Sequence, residues 1–130
     1  MTRTLLIEGG NVRDIATLYD EINRVFMADE DWKLGPSLDA IDDMLGGAYG
    51  AVAGRDRVKL VWQDMEASRS ALGRDATRLH LLAKLERPDV FNAKLIHRQL
   101  EELEAGVGQT YFEIVIEIIA GHPNIELVAP

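Results

Sequence analysis

The chain of 130 residues contains no cysteine. That excludes a disulfide framework, a thiolate zinc site and a catalytic thiol, and it permits a reducing compartment. Basic residues are in short supply, with 14 Lys and Arg against 22 Asp and Glu, giving a formal net charge of −8. Nucleic-acid affinity comes largely from Lys and Arg, so this balance argues against a phosphate-binding surface and favours a basic partner. Long apolar runs are missing as well. The most apolar stretch, residues 114–120, is interrupted by Glu117 and falls far short of the roughly 20 residues that span a bilayer. Residues 1–8 carry Arg3 but lack the apolar stretch and small-residue cleavage site of a signal peptide. A soluble, cytoplasmic protein is expected, with neither nucleic acid nor membrane as partner.

Several chemical motifs are absent too. Gly9-Gly10 lies between a strand pattern and a helix pattern, where a phosphate loop would lie. There is no G-x-G-x-x-G spacing and no Walker lysine, and the acidic Glu8 and Asp14 flank the pair, so a tight turn is the simpler reading. His80, His97 and His122 stand at no metal-ligand spacing, and each is expected as a lone surface histidine. Ser37, Ser68 and Ser70 show no nucleophile elbow. No catalytic residue, metal or cofactor is expected.

What is present is an ordinary globular composition, 47% hydrophobic and 28% charged, long enough for a core without staples. Residues 1–130 are expected as a single domain. Residues 4–8 read as a buried strand ended by Gly9-Gly10. Asp14 then caps a helix with its apolar stripe at Ile15, Leu18, Ile22, Val25 and Phe26. Residues 29–36 form a polar loop, and Ser37 caps a helix that buries Leu38, Ile41 and Leu45 until Gly46-Gly47 stops it. A small-residue stretch, 46–54, leads to a second strand at 58–62 and a helix over 63–72. Leu79, Leu82 and Leu85 mark one further stripe, ended by Pro88. Phe91, Leu95, Leu100 and Leu103 mark another, with His97, Arg98 and Glu101 on its polar side. Thr110 starts a helix over 111–120 that is polar only at Glu113 and Glu117 and is expected to be covered on most sides. His122-Pro123-Asn124 turns into a closing strand over 125–128. Strands alternating with helices imply an α/β fold with a three-stranded parallel sheet packed by helices.

Charge is concentrated in one place. Asp29, Glu30, Asp31, Asp39, Asp42 and Asp43, opposed only by Lys33, hold −5 of the −8. If Ser37 caps the helix, Asp39, Asp42 and Asp43 point outward together. Like charges three or four residues apart destabilise an isolated helix by roughly 0.2–0.5 kcal/mol per pair. The helix N-terminus relieves Asp39 but helps Asp43 little. A local rule broken without gain to folding marks a place where function is expected. Paired carboxylates also serve acid/base catalysis or Mg²⁺, but no phosphate loop accompanies these. A surface for a cationic partner is the simplest use.

Four segments also resemble the barstar family, protein inhibitors of barnase-type bacterial ribonucleases. Residues 7–15, I-E-G-G-N-V-R-D-I, are similar to the family's first strand, turn and helix start. Residues 35–45, G-P-S-L-D-A-I-D-D-M-L, are similar to its binding loop and second helix. Residues 60–72 resemble its second strand and third helix, and residues 111–128 its last helix and strand. The resemblance implies occlusion of a basic ribonuclease active site by an acidic helix and the preceding loop. By position, Asp39 and Asp43 match the family's interface aspartates, Asp43 being the one that mimics a substrate phosphate, and Glu117 matches an outlying interface glutamate. Trp32, Lys33, Gly35, Ser37, Asp42 and Gly46 complete the expected partner-binding set. The chain departs from the family pattern in its loop, where Lys33, Leu34 and Ser37 stand at positions the family gives to tyrosine and asparagine. Asp42 replaces a tryptophan. The largest departure is residues 74–107, expected as an inserted helical hairpin that supports the core, extends the partner interface or forms a homodimer contact. An interaction module of the same fold with a different partner is the alternative function.

Overall fold

The computed structural model describes residues 3–54 and 57–130; residues 1 and 2, part of the stretch read above for a signal peptide, lie outside it. Strands β1 (Arg3–Glu8), β2 (Val58–Gln63) and β3 (Ile125–Val128) form a parallel sheet in the order β1-β2-β3. Leu5 lies opposite Leu60, which lies opposite Leu127 on the other side. Burial alternates along the strands. Leu5, Ile7, Val58, Leu60 and Trp62 are buried, while Leu6 on the other face of β1 is exposed. The first strand, expected as a buried one, is therefore buried through Leu5 and Ile7 on one face and open at Leu6 on the other.

That face is covered by α1 (Ile15–Phe26), α2 (Leu38–Leu45) and α6 (Tyr111–Ala120), which share one core with it. Asp14 caps α1 by accepting from the Thr17 N–H at 2.8 Å, and the Thr17 hydroxyl accepts from the Asp14 N–H in return. Ser37 caps α2, accepting from the Ala40 N–H at 3.3 Å. α2 buries Ile41, Met44 and Leu45 and ends before Gly46 and Gly47, the latter at φ +96°. Thr110 and Glu113 form a capping box at the start of α6. Along α6 only Glu113, Glu117 and Ala120 are exposed, as its composition led one to expect.

Two polar details lock the ends of β1 and β2. The buried Glu21 carboxylate on α1 accepts from the Glu8 N–H at 2.7 Å, from Asn11 at 3.2 Å and from Arg24. Gly9 packs on the backbone that leaves β2, where an added Cβ would lie 2.3 Å from the Gln63 carbonyl oxygen. Close approach, not a bound phosphate, explains this glycine. The Trp62 indole donates to Ser68 Oγ at 2.9 Å, and Ser68 donates to the Gly9 carbonyl at 3.0 Å. The helix expected from residue 63 begins later, as α3 (Met65–Ala71). Gln63 still pairs with Glu8 in the sheet, and Asp64 takes a left-handed conformation at φ +51° to make the turn.

Helices α4 (Arg74–Leu85) and α5 (Ala93–Glu104) form a hairpin with a second small core of Leu81, Ile96 and Leu103. Its phase differs from the expected one. Leu79 and Leu82 are 68% and 43% exposed, and Thr77 and Leu81 are buried in their place; of the expected stripe only Leu85 packs inward. Thr77 tolerates burial because its hydroxyl donates to the Gly73 carbonyl at 2.7 Å and accepts from the Tyr111 N–H at 2.8 Å. On α5, Ile96 is buried in place of the exposed Leu95, and Phe91 precedes the helix, which Asn92 caps. No helix among the described residues is long and apolar enough to cross a membrane.

Candidate functional site

The loop before α2 is held in shape from α1. Asn23 brackets Leu34, donating to its carbonyl at 3.1 Å and accepting from its N–H at 2.7 Å. Leu34 is thereby buried, while Lys33, Gly35, Pro36 and Ser37 stay exposed around it. Backbone amides that Asn23 satisfies need no water, so the loop presents its side chains from a fixed base. Trp32 is 44% exposed. Its ring meets Tyr49 edge to face, with centroids 4.8 Å apart. The Tyr49 hydroxyl donates to the Ala40 carbonyl within α2 at 2.8 Å, and Glu30 accepts from the Gly50 N–H at 3.3 Å. Loop, helix and the small-residue stretch are thus fastened together through Tyr49 and its neighbours.

Asp39, Asp42 and Asp43 are all exposed on α2. Their surroundings differ. Asp42 Oδ1 lies 2.6 Å from His122 Nε2, across from the turn that precedes β3. Asp43 has no ion pair or side-chain hydrogen bond among the described residues; its charge adds to burial in raising the Tyr49 hydroxyl pKa. Gly46, Gly47 and Ala48 line an open depression together with Asp42, Asp43 and His122. Glu117 is exposed on α6 and accepts a hydrogen bond from Gln109.

The expected site residues therefore fall on one loop, on α2 and its C-terminal turn, and on α6. Asp39, Asp42 and Asp43 share the exposed face of α2, Trp32 and Lys33 line one hollow beside α1, and Gly35 stands in open space. Glu117 lies apart from these, on the neighbouring helix. The sequence reading missed Tyr49 and His122. Tyr49 was legible as the lone aromatic of residues 46–54, where glycine and alanine prevail. His122 carried no local signal, because its partner is 80 residues away. The expectation of lone surface histidines holds for the exposed His97 only. His80 is half-buried with its ring edge-on to Tyr111 at 5.2 Å, and burial, then Lys84, lowers its pKa. Among the described residues no group of three or more His, Asp or Glu is placed to hold a metal ion.

The molecule is an α/β protein that presents an exposed acidic helix, fed by a braced loop, on the helix-covered face of a three-stranded parallel sheet. The model of the barstar family, described as barnase inhibitors, matches residues 2–120, and the chain belongs to that family. No curated protein is a significant match to it.

Proposed function

We propose that this chain is a protein inhibitor that occludes the basic active site of a barnase-type ribonuclease or a related nuclease toxin with α2 and the loop before it. The observation that carries the reading is the Asp43 carboxylate, exposed in the C-terminal half of an acidic helix and unpaired among the described residues. A basic cleft offers such a group the charges it lacks, and membership of a family described as barnase inhibitors supports a ribonuclease as the class of partner. The excess charge of the chain raises the encounter rate with a cationic cleft before any contact forms. Asp43 then leaves water and takes the place of a substrate phosphate, with Asp39 beside it and Trp32 against Tyr49 as the aromatic anchor. Nothing in this mechanism asks the chain for catalysis: its carboxylates lie on an open helix face and act by occupying another protein's active site.

RNA cleavage by a barnase-type ribonuclease, titrated with the chain, tests the proposal. Complete inhibition near one equivalent is expected, and Asp43→Ala is expected to abolish it at that ratio. Undiminished cleavage would overturn the inhibitor reading and leave the alternative, a barstar-fold interaction module with a different partner. The exposed Leu79 and Leu82 on the outer face of the hairpin favour that alternative, since they present apolar surface away from the acidic helix.

A further inference from the structure

Residues 74–107 hold six Lys or Arg and six Asp or Glu, so the hairpin is neutral while the rest of the chain carries the whole excess of −8. Among the described residues the hairpin's ion pairs are all internal. Arg78 binds Asp75 at 3.1 Å and Glu104 at 2.5 Å, and Arg98 lies 3.8 Å from Glu102. Lys84, in the last turn of α4, and Arg87, just beyond its C-terminus, have no carboxylate within ion-pair distance among the described residues. Both line a cleft of about 580 Å³ between α4 and the start of α2, together with Asp39, His80, Phe91 and Tyr111. Lys84 Nζ sits over the Phe91 ring at 5.3 Å. The cleft continues past Tyr111 towards Gln109, the hydrogen-bond partner of Glu117. It is thus continuous with the candidate site at Asp39 and reaches the neighbourhood of its outlying glutamate.

Two unpaired cations here conflict with the rest of the surface. A basic partner steered onto Asp39, Asp42 and Asp43 would meet Lys84 and Arg87 at the edge of the same contact. Like charges brought together on binding cost affinity unless the partner supplies the opposite sign there. The carbonyl end of α4 accounts for a cation at Lys84. It does not account for the placement of both cations against the acidic helix, with an aromatic wall between.

We infer that the cleft between α4 and α2 receives an acidic segment of the same ribonuclease, its carboxylates against Lys84 and Arg87 and its apolar side chains against Phe91. The partner surface is then bipolar, with a basic cleft facing α2 and an acidic rim facing the hairpin. This inference rests on the inhibitor reading.

Charge reversal tests it by sign. Against a uniformly basic surface, Lys84→Glu with Arg87→Glu adds attraction and tightens binding. Against an acidic segment the same change weakens it. The probe is the barnase-type ribonuclease of the inhibition test, with affinities measured by surface plasmon resonance at matched salt. The double reversal is expected to weaken binding about tenfold or more. Lys84→Gln with Arg87→Gln is expected to weaken it less, in the same direction, and unchanged thermal melts of both variants keep the comparison free of misfolding. Binding that the double reversal leaves unchanged or tightens overturns the cleft assignment alone. A wild-type chain that does not bind the ribonuclease overturns the inhibitor reading, and the cleft assignment with it.

Discussion

His122 Nε2 lies 2.6 Å from Asp42 Oδ1 and so ties the turn ahead of β3 to the acidic helix. His122 is largely buried at this contact while Asp42 remains mostly exposed. The pair therefore fixes the C-terminal half of α2 and leaves Asp43 next to it unencumbered. His122→Ala and Asp42→Ala are each expected to cost about 1 kcal/mol of stability. The double variant should cost little more than either single one, because the two changes remove the same contact. Urea denaturation of the three variants measures this coupling, and full additivity would show that the contact is worth nothing. Inhibition of the ribonuclease should survive His122→Ala.

The junction of β1, β2 and α3 is expected to be the least tolerant part of the fold. Gly9→Ala sets a methyl group against the Gln63 and Asp64 carbonyls, at 2.3 and 2.4 Å. Backbone cannot rotate away as a side chain can, so a loss of about 3 kcal/mol is expected. Ser68→Ala strands the Trp62 N–H and the Gly9 carbonyl in a buried site and should cost about 1–3 kcal/mol. Both variants should lower the urea midpoint with little change in slope. A Gly9→Ala protein as stable as wild type would refute the close-approach account.

Much of this arrangement was legible in the sequence, and the parts that were not share a cause. Asp14, Ser37 and Thr110 announce their helices because a cap is a local hydrogen bond. Local periodicity likewise revealed α1, α2 and α6. The phase of α4 was misread because Thr77 is buried, and its burial depends on Gly73 and Tyr111, the second of which is far along the chain. The start of α3 was misread because Asp64 adopts a left-handed conformation that side-chain pattern does not announce. In the candidate site, the aspartates were legible as a charge anomaly. The contacts that distinguish them, Asp42 to His122 and the Tyr49 hydroxyl to α2, join segments that only the fold brings together.

Acid should unfold the protein in two separable stages. Burial, and then the charge of Lys84, holds His80 below its ordinary value of 6.5. The unfolded chain thus binds a proton more readily, and stability declines as pH falls from about 6.5. For Glu21 burial acts to raise the pKa, but hydrogen bonds from Arg24, the Glu8 N–H and Asn11 outweigh it and leave the carboxyl below 4.5. Its stabilisation is complete above that value and is lost as pH falls below it. Melting temperatures from pH 8 to pH 3 should show both declines. His80→Phe should flatten the upper stage and Glu21→Gln the lower one; a variant that leaves its own stage intact would remove that residue from the account.

Trp32 is the one exposed aromatic residue of the loop, its ring edge to face with Tyr49. Buried aromatic anchors carry an outsized share of interface energy, so Trp32→Ala is expected to weaken ribonuclease binding about 30-fold or more. Tyr49→Phe keeps the ring contact and loses only the hydroxyl bond to Ala40. It should reduce stability by about 1 kcal/mol and affinity very little. Isothermal titration of both variants separates anchor from brace. Equal losses of affinity would mean that the pair acts only by positioning α2.

Lys33 is the single cation among the acidic residues 29–43 and is exposed on the loop. A basic partner meets it as local repulsion, so its removal should favour encounter. Lys33→Ala is expected to raise the association rate about two- to threefold at low ionic strength. Salt screens such long-range forces, and at about 1 M, where the Debye length falls to roughly 3 Å, the advantage should vanish. Asp39→Ala should show the opposite sign with the same salt dependence. Stopped-flow association rates across a salt series decide the matter. A Lys33→Ala rate that falls below wild type at low salt would mean that Lys33 faces a carboxylate of the partner, and steering by the acidic loop would then have to be assigned to α2 alone.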